Sequence, residues 1–148
     1  MKFDTNNLWT DTVTLVNKLP ARFTDGKKDL YFKHVLHNCN WQSIQERRIN
    51  NADALYSIDT VVQIPKQNDY KPYSKWVYES YGLTFCVGDY VFLGEISDEI
   101  DCDSIGSIVL KYRSNAIKIK TFQDATLPGQ NLPKIKNISI AHYCIRGA

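Results

Sequence analysis

Long hydrophobic runs are missing from this 148-residue chain. Nowhere do about 18 apolar residues follow one another, so the sequence predicts no membrane-spanning helix. The opening residues MKFDTNNLWTDT hold no apolar segment of the kind that forms the core of a secretory signal. The expected compartment is therefore the cytosol. Close cysteine pairs are also lacking: Cys39, Cys86, Cys102 and Cys144 are scattered, with no CxxC. That argues against a zinc ribbon and, in a reducing compartment, against a disulfide framework. There is no GxSxG, no glycine-rich phosphate loop, no HExxH and no EF-hand series, so the common hydrolase, nucleotide and metalloprotease signatures are excluded. No internal repeat or low-complexity tract interrupts the chain. The formal charge of +2 is too small to argue for a nucleic-acid partner by itself.

What remains is an ordinary globular composition, with 23% charged and 12% aromatic residues in a length that suits one domain. A single domain over 1–148 is expected, with residues 1–11 as a flexible N-terminal arm. Strand signals dominate. Thr12 to Lys18 alternates Val13, Leu15 and Asn17 against Thr14 and Val16. Leu30 to Gln42 is rich in aromatic and β-branched residues and is long for one strand, so a bend near Asn38 is expected. Asp59 to Ile64 is a third strand, which Pro65 ends or places at an edge. Tyr90 to Glu95 is the most apolar strand and opens at the Gly88-Asp89 turn. Ala116 to Phe122 and Ile138 to Arg146 complete the set, joined by a loop with Pro128, Gly129 and Pro133.

One helix is predicted. Ile105, Ile108, Val109 and Tyr112 form a single apolar face, capped by Asp103 or Ser104 and weakened by Gly106. The fold class expected is mainly β (α+β): a small β-barrel or sandwich of about six strands, with one short helix inserted before the last two. Two polar stretches, from Leu19 through Asp29 and from Gln67 to Ser80, read as exposed loops, the second with at most one helical turn.

Charge is segregated along the chain. Between Gly88 and Asp103 lie Asp89, Glu95, Asp98, Glu99, Asp101 and Asp103 with no Lys or Arg. From Ser104 onward come Lys111, Arg113, Lys118, Lys120, Lys134, Lys136 and Arg146 against one acid, Asp124. Such flanks suit head-to-tail contact between copies, and equally they suit solvated surfaces.

Reactive groups are few. His34 and His37 lie three apart in a predicted strand and face opposite sides. His142, mid-strand, reads as a hydrogen-bonded, half-buried residue. A zinc site using His37 and Cys39 would need two distant cysteines. Asp98, Glu99, Asp101 and Asp103 lack the glycine and distal Glu of a calcium loop. Neither an enzyme nor a cofactor is expected. Lys118 and Lys120 alternate with Ile117 and Ile119, and such a strand could track phosphates while Trp76, Tyr78 and Tyr81 stack on bases, as in an OB-like single-strand binder. Lysines on an outer strand face also protect sheet edges from aggregation.

The order of VTLVNK, LYFKHVLHNCNW, DTVVQIP, GDYVFLGEISDEI and a closing LxxxKNISIAHYCIRG resembles a family of small proteins in the minor-capsid cassette of tailed phages of Gram-positive bacteria. The likeness runs from about Thr12 to Gly147, with Tyr143 standing where the family pattern has Trp. The resemblance implies a non-catalytic neck protein of the virion, assembled in the host cytoplasm. It would be a head–tail connector or stopper subunit in a ring of twelve or six copies. Its implied partners are the portal or adaptor and a tail-completion or tail-tube protein, with genomic DNA passing through the lumen without sequence-specific binding and no membrane involved. A tail-completion or terminator ring subunit is the alternative within the same class.

In that setting the subunit interface would pair Glu95, Asp98, Glu99, Asp101 and Asp103 with Lys111, Arg113, Lys118 and Lys120. The two loops would face the channel or dock on the adaptor. They would do so through Arg22, Asp25, Lys27 and Lys28 in the first, and Tyr70, Lys71, Tyr73, Lys75 and Trp76 in the second.

Overall fold

The computed structural model describes residues 9–26, 28–50, 53–79, 81–126, 134–135, 138–139 and 141–148. Alternation of apolar and polar residues over the first strand, β1 (Asp11–Leu19), builds the centre of the molecule. Val13 and Leu15 face inward and are fully buried, while Thr14 and Val16 face outward and are buried too. A strand covered on both faces needs protein on both, and the later elements supply it.

β1 pairs antiparallel with β2 (Leu30–Asn50) on one side and with β4 (Tyr90–Leu93) on the other. β3 (Asp53–Pro65), β8 (His142–Gly147) and β5 (Ala116–Ala125) close the circuit in the order β1-β2-β3-β8-β5-β4. The result is the six-stranded antiparallel barrel of the expected mainly-β class. Several strands differ from expectation: β2 runs on to Asn50 where an end at Gln42 was expected, and β3 starts at Asp53, not Asp59, because the two continue to pair with each other. β8 begins at His142, four residues later than predicted, and Ile138–Ser139 belongs instead to a separate two-stranded pair, β6 (Lys134–Ile135) with β7 (Ile138–Ser139).

The expected bend near Asn38 is a bulge. Asp11 pairs with Cys39 but Val13 pairs with Leu36, so β2 carries one extra residue there, and Asn38 takes a left-handed φ of 59°. The barrel interior holds Leu36, Val62, Ile64, Val91, Ile117, Ile119 and Ile145 around β1. Its open end is filled by aromatics: Tyr70, Phe85, Phe122 and Tyr143 stack with ring centroids 4.8–6.0 Å apart.

Among the described residues there are two α-helices, where one was expected. α1 (Tyr73–Glu79) lies in the stretch read as a loop, and it forms because Trp76 and Val77 have a partner in Leu19 at the end of β1. The indole N–H of Trp76 donates to the Gly82 carbonyl at 3.0 Å. α2 (Ile105–Lys111) is the predicted helix, and Ile108 packs over Val16 and Phe92 on the outside of the barrel. Its cap is not the expected one. Ser104 makes no side-chain capping bond, and the carboxylate of Asp101 instead accepts the N–H groups of Asp103 and Ser104 at 2.9 and 2.8 Å. At the chain start, Trp9 is buried edge-on against His142 at 5.7 Å, so the folded body begins before the expected end of the arm.

Closure depends on one residue without a side chain. A Cβ on Gly147 would run into the backbone carbonyl of Lys118, where β8 crosses β5. Gly106, exposed within α2, has open space around it. Gly147→Ala should therefore destabilise the fold by about 2–3 kcal/mol, whereas Gly106→Ala should stabilise it by roughly 0.5–1 kcal/mol. Urea unfolding of both variants checks the contrast.

Candidate functional site

The acidic segment after β4 is tied down from its first residue. The Thr14 hydroxyl donates to the Gly94 carbonyl at 2.7 Å and accepts the Ile96 N–H at 3.1 Å. Ile96 then sinks into the cluster beneath α2. Lys33 reaches over from β2 and donates to the Asp98 carbonyl at 2.6 Å. Asp98 pairs with Lys111 at 3.1 Å, and that hydrogen bond holds its carboxyl below the usual range. Asp101 is lowered likewise by the N–H of Ser104.

Across the barrel, Asp59 on β3 bridges two bases, Arg146 at 3.0 Å and Lys120 at 3.4 Å. Desolvation works against its charge, but these two hydrogen bonds outweigh it and keep the carboxyl low.

The charge flanks are thus partly mixed in space. Of the nine residues expected to face a neighbouring copy, Asp98, Lys111 and Lys120 have ion-pair partners in their own chain and Asp101 is a local cap. Glu95, Glu99, Asp103, Arg113 and Lys118 are exposed, and no ion pair engages them among the described residues.

The two expected channel loops are better anchored than their composition suggested. In the first, the Asp29 carboxylate accepts the Ala21 N–H at 2.8 Å, and the Thr24 hydroxyl bonds the carbonyls of Ala21 and Lys28. Arg22, Asp25 and Lys28 are exposed, with Arg22 lying 4.8 Å from the Phe23 ring centre; Lys27 lies outside the described residues. In the second, Trp76 is 1% exposed and Tyr70 is packed on the barrel core, so neither can serve as a docking residue. Tyr73 packs on the Leu19–Trp76 cluster. Lys71 and Lys75 pair with Glu79 at the surface. A base-stacking platform that includes Trp76 is ruled out for the same reason, whereas Tyr78 and Tyr81 are 80% and 71% exposed.

The histidines do not converge. His34 is partly buried and its proton affinity is lowered by desolvation, while His37 is exposed and bonds the Thr12 hydroxyl at 3.2 Å. His142 is 4% exposed, more deeply buried than the half-buried residue expected. Cys39 turns inward, and burial pushes its thiol up to about 12. Among the described residues, no three His, Cys, Asp or Glu side chains are grouped to hold a metal ion.

The feature with most built structure is a cleft of about 220 Å³ beside the Gly88-Asp89 turn. Lys18, Tyr73, Cys86, Val87, Asp89 and Lys118 line it. Behind it lies a buried polar network: Asn17 donates to the Thr84 carbonyl at 2.6 Å and to Asp89 at 3.0 Å, and accepts the Thr84 N–H at 3.3 Å. Asp89 also accepts the backbone N–H of Lys18 at 3.2 Å. Burial raises the Asp89 carboxyl to about 6, even against these hydrogen bonds. The sequence signal for the site was the polar Asn17 at an inward position of an apolar strand, but its partner sits 72 residues away.

Asp89 gives a pH signature. In the unfolded chain it ionises near 3.8, in the folded chain near 6. The folded state binds the proton more tightly, so this stabilising contribution is full below about 3.8 and is lost as pH rises through about 6. Asp59, Asp98 and Asp101 trend the opposite way, so the effect is read against Asp89→Asn. From pH 7 to pH 4, wild type should gain about 2 kcal/mol relative to that variant, as measured by chemical denaturation.

The chain belongs to a family of unknown function, DUF6751, whose model matches residues 8–139. No curated protein and no solved structure matches it.

Proposed function

We propose that this member of a family without an assigned activity is a structural subunit of a virion neck. It would act as a head–tail connector or stopper-type ring component under the portal and adaptor. The proposal starts from the resemblance to the minor-capsid-cassette proteins, and one feature of the fold supports it most. The β1–β2 ladder ends at Cys39 and the β3–β8 ladder at Thr60, yet β2 and β3 continue to pair with each other from Ile44↔Asp59 to Asn50↔Asp53. At 3.4 Å per residue that two-stranded ribbon reaches roughly 20 Å past the barrel.

An isolated two-stranded hairpin is at best marginally stable in water, and both its edges offer unpaired backbone groups. Among the described strands none flanks it. A ribbon of this kind is stabilised by protein that covers it, which an assembled ring and its neighbours provide. A compact barrel with an extended arm and scattered histidines suits a building block more than a catalyst.

The same geometry serves a tail-completion ring, and imaging distinguishes the two by which side of the neck carries the polypeptide. Crosslinking in purified particles should place this chain beside the portal or adaptor; its absence from mature particles defeats the reading. Replacing residues 45–58 by a two-residue turn keeps Asp59 and its partners. That variant should fold with a circular-dichroism melt within a few degrees of wild type and fail to enter particles.

A further inference from the structure

We propose that the Lys18–Lys118 cleft is a socket for a carboxylate side chain, Glu95 or Glu99, from a second copy of this chain. The inference deepens the ring reading and rests on it. Two ammonium-bearing residues flank the opening. Lys18 shares its charge with Asp29 at 3.4 Å, whereas Lys118 has only the Tyr90 ring, 6.0 Å away, and no ion pair among the described residues.

Asp89 at the back of the cleft is held by the Lys18 N–H and the Asn17 amide and its charge acts on Lys18, so Lys118 is the cation left to meet an incoming carboxylate. Val87 stands 65% exposed on the rim beside Tyr73, an apolar collar that would shield an ion pair from water once covered.

Size and charge select the occupant. At about 220 Å³ the cleft is smaller than the roughly 300–1,000 Å³ of small-molecule sites, and it suits one inserted side chain. The same chain carries a segment of matching sign. Glu95 and Glu99 are exposed, have no ion pair among the described residues, and sit on a loop already rigidified by Thr14 and Lys33. Acidic loop and basic cleft are different patches on one subunit, so their contact is head-to-tail, the geometry that makes a ring when its rotation closes. A preorganised loop meeting a preorganised cleft loses little entropy on docking.

The test uses the full-length chain as an equal mixture of ¹⁴N- and ¹⁵N-labelled protein, concentrated and treated with a zero-length carbodiimide that joins lysines to carboxylates. Mass spectrometry should find mixed-isotope peptides linking Lys118 or Lys18 to Glu95 or Glu99. Lys118→Glu should reduce them at least tenfold. Mixing Lys118→Glu protein with the Glu95→Lys, Glu99→Lys double variant should restore self-association in sedimentation velocity. Circular dichroism confirms that each variant is folded.

Mixed-isotope links at other residues, or links unchanged by Lys118→Glu, overturn the socket while leaving ring assembly standing. Links confined to one isotope show contact within a chain and overturn the socket. No mixed-isotope product at any concentration, together with absence from particles, overturns both socket and ring.

Discussion

Burial of β1 on both faces is the constraint on which the rest of the structure depends. Val13 and Leu15 need the barrel interior, while Thr14 and Val16 need an outer cover. The acidic loop and α2 exist where they do because that outer face must be covered. Thr14 holds the start of the loop, and Ile96 and Ile108 complete the packing. At its far end the same strand presents Leu19 to Trp76 of α1 and Asn17 to Asp89 of the cleft. One strand of nine residues therefore organises the core, both helices and the candidate site.

Electrostatics in this fold divides into charge spent inside the subunit and charge left over. Asp98–Lys111 and the Asp59 pairs sit at the surface, where solvent screening leaves an ion pair little net stability. Their value lies in orientation: they fix the acidic loop and the β5–β8 seam in place. The remaining carboxylates and lysines are then displayed on a rigid frame, which is what a repeated contact between copies requires. The ribbon of β2 and β3 adds reach to that frame, and its bare edges bring a need for cover that the barrel alone does not meet.

Much of the fold was legible locally. The alternation in β1, the branched and aromatic run of β2, the Pro65 boundary and the Ile105–Tyr112 stripe each announced an element, and Asn38 announced the bulge. Other features were hidden because their cause is distant. The stretch Tyr73–Glu79 is polar and aromatic by itself, and it becomes a helix because Leu19 and Phe32 bury Trp76. Asp101 outcompetes Ser104 as a cap through a turn whose shape is set by the packing of Ile96 and Ile100.

The amino-acid order by itself determined the class of the protein: period-two apolar alternation selects strands, and one helical stripe selects one helix, because both depend on neighbours a few residues away. Only the tertiary structure decided which charges meet. Asn17 and Asp89, Asp59 and Arg146, or Lys33 and the Asp98 carbonyl are brought together by barrel closure across 65 to 87 residues. No local pattern encodes such distances, since ion pairs and buried hydrogen bonds act over a few ångströms of space and are indifferent to separation along the chain.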